Sequence, residues 1–140
     1  MSKKNGVLNA SVTLAWAFRE ERNEYTRGVL RNPLERQAVV PQLWAPKVAN
    51  AFLVAERRGR LKRAEVEQFV GFLLDLPIVV EMEVPERVLG EVSALAREQT
   101  LSVYDAIYLG LAMRLGAPLA TLDEPLRTVA ARVGVEVFQG

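Results

Sequence analysis

Short apolar runs alternate with longer helical stretches along this chain, and that alternation most limits what it can fold into. Gly6-Val7-Leu8, Gln37-Ala38-Val39-Val40, Pro77-Ile78-Val79-Val80 and Leu119-Ala120-Thr121 are short and largely apolar, and a fifth run lies between Val133 and Phe138. A strand that shows one face to water alternates apolar with polar residues, whereas an uninterrupted apolar run is covered on both faces. Between these runs the pattern predicts helices over about Val12 to Phe18, about Tyr25 to Leu30, Leu43 to Arg58, and about Arg63 to Leu74. Others follow around Val88, Leu89, Val92 and Leu95, from Ser102 to about Leu115, and after Asp123. Val48, Ala51, Phe52 and Ala55 recur at helical spacing, with Gly59 placed to close their helix. Val66, Phe69, Val70 and Leu73 form one face of the next. Pro41 is expected to stop the second strand, Gly116 to end the helix that Ser102 caps, and Pro125 to sit in a first helical turn. The order implies an α/β fold, a three-layer α/β/α arrangement around a mostly parallel central sheet. Its 140 residues suffice for one core, and no repeat or linker divides them, so a single domain over residues 1–140 is expected.

Composition narrows the chemistry. The chain has no Cys and no His, which removes thiolate chemistry, His-based acid–base catalysis and ordinary zinc sites. Carboxylate, Lys, hydroxyl and amide groups remain. A net charge of +1 gives no strong overall field for nucleic acid, so any such contact comes from a local patch. The start, Met1-Ser2-Lys3-Lys4-Asn5-Gly6, is polar, and no apolar run is long enough to span a membrane. A cytoplasmic protein without a membrane partner is the expectation.

In a parallel sheet of this type the ligand crevice lies beyond the carboxyl ends of the strands. Asn9 follows the first strand there and Asp123 the fourth. The chain has only three aspartates, Asp75, Asp105 and Asp123, and the last two stand at the starts of helices beside apolar segments. Carboxylates held close together in such a place build a Mg²⁺ site. Each residue also has a plainer reading: Asp105 as the acid of a capping box with Ser102, Asp123 and Asn9 as helix caps, and Lys47 as a solvated helix residue. The basic cluster Arg57, Arg58 and Arg60 is either a solvated helix end that complements the helix dipole or a contact for RNA phosphates. Trp16 and Trp44 are expected to be core or interface anchors rather than stacking platforms.

Four segments in order carry a resemblance: Val7-Leu8-Asn9-Ala10-Ser11-Val12, Ala45-Pro46-Lys47-Val48-Ala49-Asn50-Ala51-Phe52, Ser102-Val103-Tyr104-Asp105-Ala106-Ile107-Tyr108, and Ala120-Thr121-Leu122-Asp123. Over nearly its whole length the chain resembles the PIN domain family, most closely the VapC toxins of toxin–antitoxin pairs. The resemblance implies Mg²⁺- or Mn²⁺-dependent cleavage of RNA, a small VapB-like antitoxin as partner, and a homodimer. Phe52, Phe69 and Phe72 lie on helices of the kind such proteins use for pairing and for seating the antitoxin. It implies that Asp105 and Asp123 are catalytic and metal-binding, with Ser11, Asn50 and Thr121 in support.

At two positions the chain departs from the family pattern, with Asn9 where an Asp is expected and Lys47 where a Glu is expected. The four positions then sum to about −1 rather than about −4. An ammonium does not ligate Mg²⁺ and repels it, by roughly 8 kcal/mol at ~4 Å and an effective dielectric of ~20 as an upper bound. Even a quarter of that weakens metal binding on the order of thirtyfold. Two functions are therefore expected in competition: an endoribonuclease with weakened or lost catalysis, and a non-catalytic relative that binds RNA, an antitoxin or itself.

Overall fold

A computed structural model describes residues 5–18, 21–35 and 37–138 of the chain. β1 (Gly6–Leu8) leads through Asn9 into α1 (Ala10–Ala17), followed by α2 (Glu24–Glu35). β2 (Ala38–Pro41), α3 (Trp44–Arg57), α4 (Arg63–Leu74) and β3 (Ile78–Glu81) come next. One helical turn, α5 (Pro85–Arg87), passes through a π-helical segment, Val88–Val92, into α6 (Ser93–Gln99). α7 (Val103–Leu115), β4 (Leu119–Ala120) and α8 (Glu124–Arg132) complete the order.

The four strands form a parallel sheet in the order β3-β2-β1-β4. Strand residues divide between the two faces by the two-residue period of a pleated strand. Leu8, Ala38, Val40 and Ala120 pack with Val12, Trp16, Val29, Trp44, Val48, Phe52 and Leu73 on the face covered by α1 to α4. Val7, Val39 and Leu119 pack with Tyr108, Leu109, Leu111, Leu126, Val129 and Ala130 of α7 and α8 on the other. That division explains the apolar runs of β1, β2 and β4, whereas β3, against expectation, leaves Val79 and Val80 exposed because it is the edge strand. Phe52 meets Phe69 edge-on at 5.6 Å between centroids, which joins α3 to α4.

Ser102 caps α7 by accepting from the Asp105 N–H at 3.0 Å. Gly116 ends that helix at φ +60, a conformation glycine takes without Cβ strain. α4 spans Arg63–Leu74, as its periodicity implies.

Four details differ from expectation. β2 runs through Pro41 instead of ending before it. Pro41 lies beyond the β1–β2 pairing, where only β3 remains alongside, so its missing N–H breaks no ladder with β1. α2 extends to Glu35, because its backbone bonding outlasts the apolar periodicity that fades after Leu30. The run from Val133 to Phe138 forms a single parallel bridge, Leu119 with Val137, rather than a strand, since two-residue β4 offers little to pair with. The helix around Val88 contains a π segment, where Ser93 Oγ donates to the Val88 carbonyl at 2.7 Å. Among the described residues, no helix is long and apolar enough to cross a membrane.

Candidate functional site

A cleft of about 740 Å³ opens at the carboxyl ends of β1 and β4. Its walls include Asn9, Ser11, Lys47, Asn50, Tyr104, Asp105, Tyr108 and Asp123. Residues distant in sequence are thus brought together from the starts of α1, α3, α7 and α8.

Three of these positions are fixed by helix capping. Asn9 caps α1, its Oδ1 accepting from the Ser11 N–H at 2.8 Å. The donor identifies the oxygen, so Oδ1 is partly engaged by the cap and keeps one lone pair, while the NH₂ is a hydrogen-bond donor. Asp123 caps α8 through one carboxylate oxygen, which accepts from the Leu126 N–H at 2.9 Å and leaves the other oxygen for the cleft. Asp105 sits in the first turn of α7, held by the Ser102 cap. For Asn9 and Asp123 the capping reading and the site reading therefore describe the same residue. Of the box expected at Asp105, the Ser102 half is formed, the Asp105 N–H donating to the Ser102 hydroxyl.

Thr121 lies wholly buried beneath the cleft. Its Oγ1 accepts from the Asp123 N–H at 3.1 Å and lies 3.4 Å from Ser11 Oγ, which accepts from the Leu122 N–H at 3.0 Å. The Thr121 carbonyl takes a bond from Arg127, whose guanidinium lies over the Tyr25 ring, and the Thr121 N–H donates to the Tyr25 hydroxyl. This set of contacts ties the turn carrying Asp123 to α1 and α2.

The electrostatics follow from that convergence. Burial raises the Asp105 carboxyl above its ordinary range, and the Asp123 carboxylate raises it further. Lys47 and the Ser102 hydroxyl pull it partly back. Lys47, exposed in the first turn of α3, is thus close enough to be felt by Asp105, yet among the described residues it forms no ion pair with either acid. Its Nζ instead lies 5.3 Å from the centroid of the Tyr104 ring.

Arg57, Arg58 and Arg60 do not line the cleft. Arg57 is about 15 Å up the helix axis from Lys47. Arg60 lies over the Phe18 ring at 4.2 Å and within 4.0 Å of Glu21. A separate apolar groove of about 230 Å³ between α3, α4 and β3 carries no titratable side chain among Trp44, Val48, Phe52, Leu73, Leu74 and Val80.

A model of the PIN domain family matches residues 7–132. The chain belongs to the PIN domain family. It is 32% identical over 120 residues to Ribonuclease VapC3 from Pyrobaculum aerophilum, across 86% of this chain and 90% of that protein, which makes it a VapC-type PIN domain. The crystal structure of PAE2754 from Pyrobaculum aerophilum superposes with a TM-score of 0.68 at 22% identity, covering 94% of this chain and 96% of that one, and shares the fold.

PIN domains of this type generally use a divalent metal. Here the donor set is thin. Among the described residues, no group of three or more Asp, Glu, His or Cys side chains is placed to share an ion. Two carboxylates remain, and Asp105 is raised by burial first and by the neighbouring Asp123 second, with Lys47 only partly offsetting them. That fits one ion held mainly by water and phosphate, and it does not fit a full acidic cage.

Tyr104 and Tyr108 also line the cleft, and chemical reasoning on acids passed over them. Tyr108 stands one turn after Asp105, on the same helix face, and that spacing was the available signal. Its hydroxyl is buried beside the Ala10 backbone and closes no hydrogen bond among the described residues, and burial pushes its ionisation well above the ordinary tyrosine value.

Proposed function

We propose that this chain is a VapC-type PIN protein whose cleft accepts RNA, with metal-dependent cleavage weakened by Asn9 and Lys47. The observation that carries the reading is the shared cleft lined by Asn9, Lys47, Asp105 and Asp123. Similarity to a protein named a VapC ribonuclease supports RNA as the substrate class and a VapB-like antitoxin as partner. A homodimer, a cytoplasmic location and one PIN-like domain over residues 1–140 belong to the same proposal.

Asp105 and Asp123 would hold Mg²⁺ or Mn²⁺, with Asn50 on the opposite wall and Ser11 and Thr121 fixing the Asp123 turn. When bound, such an ion supplies an activated water and neutralises charge developing at the phosphate. Asp105, its ionisation raised first by burial and then by Asp123, is the cleft carboxyl better suited to exchange a proton. Lys47 and the Asn9 NH₂ group oppose the ion but suit an anion, so they favour RNA retained without rapid cutting.

Cleavage of a mixed RNA panel in Mn²⁺ by the unmodified chain and by its Asn9→Asp/Lys47→Glu variant tests this. The unmodified chain is expected to cut weakly or not at all, and the variant to gain activity. Full cleavage by the unmodified chain overturns the loss. A variant that binds Mn²⁺ yet neither binds nor cuts any RNA overturns the RNA reading.

A further inference from the structure

The described site does not use Tyr104. It is 60% exposed, although its neighbours Ala106 to Ala112 are buried. Its place in the second position of α7, immediately before Asp105, sets it in the wall of the acidic cleft. A large aromatic ring left in water at such a place has lost the burial that ordinarily stabilises it. Among the described residues Lys47 contributes the only cation in that wall, and its Nζ stands over the ring, 5.3 Å from the centroid. The cleft therefore holds an exposed ring with an ammonium over one of its faces, beside two carboxylates.

Resting on the reading that the cleft accepts RNA, we propose that Tyr104 and Lys47 form a single-nucleotide subsite beside the acids, the ring stacking on a nucleobase and the ammonium contacting the adjacent phosphate. Every base has a π face, so stacking on an exposed tyrosine is sequence-tolerant. The ammonium supplies a point charge of the sign a phosphate requires. The ammonium stands over one face of the ring, so the base takes the other face, and the flexible lysine stem lets the head reach the adjacent phosphate. The position next to Asp105 places this nucleotide beside the bond that the acids would address. Position 47 thereby exchanges a role in cutting for one in holding.

The test is fluorescence anisotropy with a labelled oligouridylate in EDTA, where cleavage does not interfere. Binding by the unmodified chain is expected, with Tyr104→Ala weakening it roughly 5- to 100-fold, the range for loss of one stacked base. Tyr104→Phe should bind within about twofold of the unmodified chain, because the ring and not the hydroxyl acts. An oligomer of abasic ribose phosphates should bind the Ala variant and the unmodified chain equally. Lys47→Gln should lower the slope of log affinity against log salt by about 0.7, the loss of one phosphate contact on a single strand. Equal binding of oligouridylate by Tyr104→Ala, or equal losses in the Ala and Phe variants, overturns the subsite while RNA binding itself stands. No binding by the unmodified chain overturns the RNA reading and the subsite with it. The exposure of Tyr104 means that truncation opens no cavity, and a matching thermal melt identifies a folded variant.

Discussion

The Asp105 carboxyl carries the imprint of Asp123: burial and that second carboxylate together hold it above the ordinary aspartate range. The two residues are eighteen positions apart in the chain, yet the starts of α7 and α8, capped by Ser102 and Asp123, bring them to the same cleft.

A stability cost follows from that relation. The folded-state ionisation of Asp105 lies above its unfolded value, so folding disfavours the charged form. The cost is absent below about pH 3.9 and grows as pH rises through the folded-state value. Asp105→Asn is expected to raise the melting temperature on the order of 2–4 °C at pH 7, with the gain vanishing near pH 3. Thermal melts at both pH values check this, and a lower melting point at pH 7 would show that the carboxylate is a net stabiliser.

Thr121→Val keeps the volume but removes the acceptor for the Asp123 N–H. The expected cost is about 1–3 kcal/mol. Denaturant unfolding measures it, and a change below about 0.5 kcal/mol would mean that the turn is held by Arg127, Tyr25 and Ser11 alone.

Tyr108→Phe should have the opposite character. The hydroxyl it removes is buried and makes no hydrogen bond among the described residues. Stability should be unchanged or higher by up to about 1 kcal/mol. A loss beyond about 1 kcal/mol in the same assay would reveal a bond, through water or to Ala10, that matters to the fold.

The two altered acid positions should not contribute equally to metal affinity. Lys47→Glu changes the cleft charge by two units and Asn9→Asp by one. By calorimetry with Mn²⁺, the first alone is expected to tighten binding on the order of tenfold or more, and the second alone by less. A reversed order would place the Lys47 ammonium outside the ion's field.

The sheet was legible because its strands are apolar on both faces, and the α7 boundaries because Ser102 and Gly116 are strong local signals. The site was legible in part. Asn9 and Asp123 follow strands in a fold whose crevice lies at that edge, so their convergence could be anticipated. Local pattern could not tell that Asn9 commits its oxygen to the Ser11 N–H, or that Lys47 turns to Tyr104 rather than to an acid. Both depend on which of several competing partners a side chain meets in space. The π segment was hidden for a related reason. It follows from one hydroxyl bond, Ser93 to Val88, that leaves the apolar spacing nearly unchanged.

The cap at Asn9 has a consequence for how such a protein can change over time. Asn and Asp are nearly equivalent as helix caps, and a single base change converts one codon into the other. The cap itself is therefore served with or without a charge at position 9, and what folding feels of an acid there is its burial beside Asp105 and Asp123. The helix start can persist through loss of that acid and through its return, while the cleft's charge changes each time.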